Sequence, residues 1–323
     1  MNQILLRYGL NTSKILALPK WWHYFDFNKP FDRTMALGYE KQRGKSELLI
    51  SHARYNRPEM DVVVEDAVYL ASLREPGTQF ESTFGFFKLA EYFQDQRHPN
   101  INPLETFMSN PSCYASYLSF TDGSLRNQQI FDLGLEPKYF DDNCAVERKI
   151  EELDRNLDLV LISEYLDESL VLMKYLLSLE FEDILYIPAN VRSNKYRNRM
   201  SKEVLSRIEA WNSADMMLYK HFNRTLWRSI KQYGETFSND LQTFRELKQK
   251  TTEECIDYTN FNVDQRLWKI RLKNGASQFC KNLTRNTTPT IKHLRSEVIS
   301  KYGTVLDKIV DNIIKWGEHL VSR

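Results

Sequence analysis

Short apolar runs alternate along the chain with longer stretches whose apolar residues recur every three or four positions. Residues 158–163 (DLVLIS) are the clearest short run, apolar in the middle and polar at both ends, as a strand buried on both faces requires. Residues 47–52 (ELLISH) and 68–74 (VYLASLR) read the same way, and 184–187 predicts a further strand. Helical spacing follows. After Pro76, residues Phe80, Phe84 and Phe87 share a stripe, and Asp167 is placed to cap a helix running through SLVLMKYLLSL. From about Ser201 the pattern turns helical: Met217, Leu218, Phe222, Leu226 and Ile230 form one face, and a second runs from Val298 to Leu320. Polar residues 274–289 read as a surface connection. The alternation predicts an α/β fold, with a mainly parallel sheet flanked by helices and a helical C-terminal part. Ligands of such sheets lie beyond the carboxyl ends of the strands, which puts Ser51, His52, Arg74, Ser163 and Glu164 on one rim.

Composition narrows the class. The chain has 323 residues, 42% of them hydrophobic and 13% aromatic, enough for a buried core. Lys and Arg number 44 against 43 Asp and Glu, so no overall basic field points to nucleic acid. No apolar run reaches the roughly 20 residues of a membrane helix, and the N-terminus does not read as a signal peptide. Cys113, Cys144, Cys255 and Cys280 are too scattered for a zinc site, and no metal is expected; they suit either disulfides or free thiols. Asparagine sequons stand at Asn11, Asn223, Asn282 and Asn286; Asn223, on the polar side of a helical pattern, and Asn11 are the candidates for glycosylation.

Several residues could carry chemistry. Arg74 ends a strand and Ser82 lies in the following helix, so a guanidinium fork, a hydroxyl and a helix N-terminus could share one phosphate. An Arg paired with a carboxylate and a solvated Ser fit the same spacing. His52 is a rim imidazole of near-neutral pKa, suited to a general base or to a structural place. Glu164, Tyr165 and Asp167 follow the DLVLIS run and could bind sugar hydroxyls, while Asp167 and Glu168 could equally serve the helix start. Arg192, Lys195, Arg197 and Arg199 form a basic loop that reads as an anion site or a solvated turn. No G-x-S-x-G, H-E-x-x-H, G-x-G-x-x-G or Walker-type loop occurs.

Four of these segments, in order, resemble the galactose 3-O-sulfotransferase family. Residues 158–193 (DLVLISEYLDESLVLMKYLLSLEFEDILYIPANVRS) resemble its buried strand followed by E-Y-F-D-E-S-L-V-L-L, E-D-V-L-Y and N-A-R. SLREPGTQFESTFGFFK resembles its L-R-E/D-P-x-x-x-F-E-S-x-F, and AWNSADMMLYKHFNRTLWR its W-N-x-x-D-x-x-L-Y-x-H-F-N block; SHARYNRPEM is a weaker match to its H-M/L-R-F. The likeness covers residues 1–252, an N-terminally incomplete sulfotransferase domain by this reading, with 253–323 a helical extension packed on it.

The resemblance implies a P-loop-like sulfotransferase fold and transfer of sulfate from PAPS to the 3-hydroxyl of a terminal galactose, on a glycolipid such as galactosylceramide or on a glycoprotein glycan. It implies Arg74 and Ser82, with Arg192, at the donor nucleotide, and His52 as the base. It also implies a Golgi membrane enzyme with a luminal domain, held by an anchor that this chain does not contain. By the same likeness the chain begins after the family's first strand and 5'-phosphosulfate loop, so it is expected to be inactive as it stands. A non-catalytic glycan- or nucleotide-binding relative and a glycosaminoglycan sulfotransferase are the alternatives.

Overall fold

The computed structural model describes residues 1–39, 46–93, 102–117, 125–188, 200–257, 271–302 and 308. The elements used below are, in chain order, α1 (Asn2–Asn11), β1 (Leu70–Leu73), α2 (Pro76–Phe86), α3 (Gln128–Asp132), α4 (Asn143–Asn156), β2 (Leu159–Ile162), α5 (Leu166–Leu177), α6 (Ser213–Tyr233), α7 (Phe237–Cys255), α8 (Gln278–Leu283) and α9 (Thr287–Tyr302). The chain divides into two compact units, Met1–Val68 with Gln278–Arg323, and Tyr69–Ser277.

The second unit is built on β1 and β2, which pair in parallel with Leu70 opposite Leu159 and Leu73 opposite Ile162. Val160, Leu161 and Ile162 are buried, as the continuous apolar run requires. The pairing is clamped at its start, where the Tyr69 amide donates to the Asp158 carboxylate at 2.7 Å. At its end the Ile162 amide donates to Ser169 Oγ, buried in α5, at 3.0 Å. α2 starts at Pro76, whose missing amide costs nothing in a first turn. Its Phe80 and Phe84 are buried in a cluster with Leu104, Phe107, Leu125, Val204 and Ile208. Leu218, Phe222 and Leu226 of α6 are buried as their spacing predicts, with Met217 and Ile230 at the margin.

A buried polar knot fixes where these elements meet. Asp215, in the first turn of α6, accepts from the Ile130 amide at 2.8 Å and the Gln129 amide at 3.1 Å. Asn212 Oδ1 accepts from the Asn127 amide at 2.8 Å, and Asn127 Oδ1 from the Asp215 amide at 3.1 Å. Asn127 holds a left-handed φ of 49°, a conformation Asn tolerates better than most residues, and is completely buried. The knot gives the first amides of α3 the partners they lack within the helix.

The first unit places Leu6 of α1 against Leu18, Leu37, Ile50 and, from α9, Ile291 and Ile299. Residues 47–52 do not form a strand: Leu48 makes one parallel bridge with Leu16, and the segment is otherwise held by single contacts. The expected strand at 184–187 is also absent, because a short helix, Phe181–Ile184, takes its first residue. Among the described residues the sheet is therefore two-stranded, smaller than the apolar pattern predicts. The polar connection at 274–289 contains α8, whose Cys280 and Leu283 are buried. Of the C-terminal stripe, Val298 lies on α9; its positions from Tyr302 on fall where no side chain is described. No described helix is long and apolar enough to cross a membrane.

Burial pushes the Asp215 carboxyl up to about 7, against the pull of the two amides it accepts from. The folded state thus keeps this proton to higher pH than the unfolded chain, so this group's contribution to stability falls as pH rises from about 4 to 7. Replacing Asp215 with Ala leaves the buried Ile130 amide and the half-buried Gln129 amide without this acceptor, at roughly 1–3 kcal/mol for a buried one. We expect Asp215→Ala to lose about 2–4 kcal/mol in urea unfolding; a loss below about 1 kcal/mol would show that the knot does not hold α3 to α6.

Candidate active-site rim and its relatives

Arg74 leaves the carboxyl end of β1 with its backbone fixed on both sides. Its amide donates to Gln129 Oε1 at 2.7 Å, and its carbonyl accepts from Gln129 Nε2 at 2.9 Å. Because the Gln129 amide is bound by Asp215, the polar knot sets the position of Arg74. Its half-buried guanidinium donates through Nε to Thr78 Oγ1 at 3.3 Å. Among the described residues no carboxylate lies within ion-pair distance of it. Ser82 is half-buried one turn beyond Thr78 on the same face of α2, so Arg74, Thr78 and Ser82 follow each other at intervals of four.

The start of α2 differs from expectation. Glu75 is its N-cap and accepts from the Gly77 amide at 2.7 Å and the Thr78 amide at 2.8 Å. A carboxylate thus fills the place where the helix N-terminus was expected to meet a phosphate. A Cβ at Gly77 would lie 2.5 Å from Leu205 Cδ1, so a larger residue there would displace that side chain.

The carboxyl end of β2 meets this edge. Glu164, exposed, accepts from the Glu75 amide at 3.0 Å and from the Tyr219 hydroxyl at 3.3 Å. Tyr165, half-buried, packs edge-on against Trp227 at 4.9 Å. Burial and the Glu164 charge hold the Tyr219 hydroxyl well above the usual phenol range, so it stays a donor. Asp167 is not the cap of α5; Tyr165 occupies that position, and Asp167 lies in the first turn. Its carboxylate accepts from Lys248 Nζ at 2.5 Å, from the Tyr186 hydroxyl at 2.9 Å and from Arg245 Nε at 3.4 Å. Arg245 also reaches Glu168 at 2.8 Å. These contacts bind α5 to α7.

His52 belongs to the other unit. Its carbonyl accepts from the Phe25 amide at 2.8 Å, and its ring meets Phe27 edge-on, centroids 5.5 Å apart. The side chain keeps exposed surface, yet the protein packed about it lowers its pKa below the ordinary 6.5 by desolvation. At neutral pH the imidazole is uncharged and able to take a proton. Arg192 and the rest of the basic loop lie outside the described residues. So the structure brings Arg74, Ser82, Glu164 and Tyr165 to one edge of the second unit and puts His52 in the first.

Sequence reasoning missed Asn127, Gln129, Asn212, Asp215 and Tyr219. Three of them stand in the AWNSADMMLYKHFN block, where a polar residue at helical spacing beside buried Ala214 and Leu218 is the available signal. Cys255 and Cys280 are disulfide-bonded, while Cys113 and Cys144 are free and exposed. Asn11 is exposed at the end of α1. Asn223 is half-buried within α6, its Oδ1 enclosed, rather than on an open polar face. Among the described residues no three His, Cys, Asp or Glu side chains are grouped to hold a metal.

This is a small α/β protein whose strand ends present a cation, hydroxyls and a carboxylate. The chain belongs to the galactose-3-O-sulfotransferase family, whose family model matches residues 1–273. It is 32% identical to the galactosylceramide sulfotransferase of Bos taurus over 97% of this chain and 78% of the relative, and 29% identical to that of Homo sapiens over the same shares. The galactose-3-O-sulfotransferase 3 of Mus musculus is 31% identical over 79% of this chain and 60% of its own length. No solved structure matches the chain significantly.

The lowered pKa of His52 can be read directly. Its ring should titrate below pH 6.5 by proton NMR. Because the unfolded chain takes up this proton first, the contribution to stability is lost as pH falls below 6.5. A midpoint above 6.5 would mean that a carboxylate, not desolvation, governs the ring.

Proposed function

We propose that the protein transfers sulfate from PAPS to the 3-hydroxyl of a terminal galactose, on a glycolipid of the galactosylceramide kind or on a glycoprotein glycan. Family membership supports sulfotransfer to galactose; the observation that carries the donor side is the Arg74 guanidinium, half-buried at a strand end with no described carboxylate to neutralise it. A fixed cation of this kind fits a phosphate dianion, with the Thr78 and Ser82 hydroxyls in line behind it. Bound PAPS would supply an activated sulfuryl group and PAP as leaving group. Arg74 and Ser82 hold its 3'-phosphate in this reading, and Arg192 adds a further contact.

His52 takes the proton of the attacking galactose hydroxyl. Desolvation keeps its imidazole neutral at physiological pH, the form the step requires. Glu164 is left to accept hydrogen bonds from sugar hydroxyls, because it already receives the Glu75 amide and the Tyr219 hydroxyl and is oriented by them. Tyr165 lies beside it. Asp167, surrounded by Lys248, Tyr186 and Arg245, positions α5 beneath them. No metal is required where fixed cations meet the sulfate.

We assign the catalytic domain to residues 1–252, with 253–323 as its helical extension, and its place to the lumen of the Golgi. Disulfide-bonded Cys255 and Cys280 support an oxidising compartment. Asn11, the more exposed of the two glycosylation candidates, should carry glycan more fully than Asn223 there.

Two measurements test the assignment. Arg74→Ala should weaken PAP binding about 10- to 100-fold in calorimetry, and Ser82→Ala less, about 2- to 10-fold, since a charge-assisted bond exceeds a neutral one. Unchanged affinity in Arg74→Ala would make Arg74 a purely structural residue. His52→Ala should lower kcat about 10²- to 10⁴-fold with PAP affinity intact. Loss of PAP binding at full kcat would place His52 with the donor instead.

A further inference from the structure

The stretch Trp21, Trp22, His23, Tyr24, Phe25, Asp26, Phe27 carries six rings in seven residues, and the reading above uses none of them. It is not a loose loop. Just before it, the Lys20 amide donates to the Met35 carbonyl at 2.9 Å, and Arg295, buried, donates to the Lys20 carbonyl at 3.1 Å. Just after it, the Phe31 amide donates to the Arg54 carbonyl at 2.9 Å. Within it Phe25 is buried against Phe31, ring centroids 5.0 Å apart, and its amide binds the His52 carbonyl.

With Phe25 as the anchor, its neighbours face outward as a row. His23 meets Tyr24 at 4.8 Å, Tyr24 meets Phe27 at 5.5 Å, and Phe27 meets His52 at 5.5 Å. Tyr24 and Phe27 are only half-buried. Trp21 and Trp22 are 42% and 46% exposed. A protein gains about 25 cal/mol for each Å² of apolar surface it buries, so two outward tryptophans on a pinned segment leave much burial unused.

We infer that this aromatic row is the acceptor subsite, with Phe27 and Tyr24 stacking on the galactose ring whose hydroxyl faces His52 and Trp22 extending the platform. The inference rests on His52 being the base. A sugar that gives its proton to His52 lies within hydrogen-bond reach of the imidazole, and the ring touching that imidazole is Phe27. Galactose suits such a wall. Its axial 4-hydroxyl leaves the C–H bonds of C3, C4 and C5 together on one face, an apolar patch that aromatic faces cover, while the 3-hydroxyl projects from its edge. From Trp21 to Phe27 the only formal charge is the Asp26 carboxylate. Asp26 is paired with Lys29 at 3.9 Å and Lys20 Nζ lies 5.7 Å from the Trp21 ring centroid, so charge along the row is balanced and recognition rests on the rings, which the equatorial 4-hydroxyl of a glucuronide fits less well than galactose does.

The test is saturation-transfer NMR of methyl β-galactoside with the 323-residue chain. The expected result is strongest transfer to H3, H4 and H5. Trp22→Ala and Phe27→Leu should each weaken binding about 3- to 10-fold, the range of a lost ring contact, while methyl β-glucuronide binds less than the galactoside. Trp22 is exposed, so its variant should keep the wild-type melting temperature and remains informative if Phe27→Leu does not fold. Equal affinity in the variants overturns the inference. So does absence of galactoside binding by the wild type, or a row that binds phospholipid vesicles and no sugar. A sulfate-transfer assay separates this from the catalytic reading. Transfer to galactosides with KM unchanged in Trp22→Ala and Phe27→Leu removes the subsite alone, whereas row-dependent sugar binding without transfer keeps the subsite and removes the sulfotransferase role.

Discussion

The rim depends on one buried interaction, the carboxylate of Asp215 on the first amides of α3. It is costly to place a carboxyl in a fully buried site, and its raised pKa expresses that cost. What offsets it is geometry: two amides that no helix could satisfy otherwise receive one acceptor each. Through Gln129 the same constraint reaches Arg74, whose amide and carbonyl are both held by that side chain. In the proposed donor role, a guanidinium held on a backbone fixed in this way would meet a phosphate without reorganising. One hydrogen-bond chain thus serves stability and fixes the residue proposed to hold the donor.

The parts legible in the sequence were those set by local apolar pattern. The DLVLIS run became β2, the 68–74 run β1, and the Phe80–Phe84 and Leu218–Phe222–Leu226 stripes became buried faces. The misses have a common cause. Residues 47–52 and 184–187 are apolar enough for strands, but pairing depends on a partner elsewhere in the chain, and pattern alone carries no information about partners. Asp167 looked like a cap because it precedes an apolar helix; with Lys248 and Arg245 some 80 residues away, its ion pairs could not be anticipated from its neighbours. The polar knot was hidden for the same reason, since Asn127 and Asp215 are joined only in the fold.

Two carboxylates of one short segment end in different situations. Asp167 is enclosed by Lys248, Tyr186 and Arg245, so its charge is neutralised and its hydrogen-bonding capacity is largely committed. Glu164 receives only one amide and one phenol, and it stays exposed. A carboxylate has about four lone-pair sites, so Glu164 retains capacity for a ligand's hydroxyls. The difference separates a residue that shapes the rim from one that can touch what binds there.

The same reasoning applies to His52. A general base must be neutral at working pH yet open to its substrate, and these demands conflict, since exposure to water favours the protonated ring and deep burial closes access. The environment of His52 is compatible with both demands. Desolvation by the surrounding protein lowers its pKa, Phe27 packs edge-on against the ring, and the remaining surface of the side chain stays exposed. A charged neighbour in place of Phe27 would serve less well: a carboxylate would raise the pKa and hold the proton, and a cation would lower it at the cost of a fixed charge beside the acceptor. An aromatic neighbour adds no charge, and in the proposed acceptor subsite it offers the sugar an apolar face to lie on. In the proposed mechanism the same neighbour shields the base and receives the acceptor sugar.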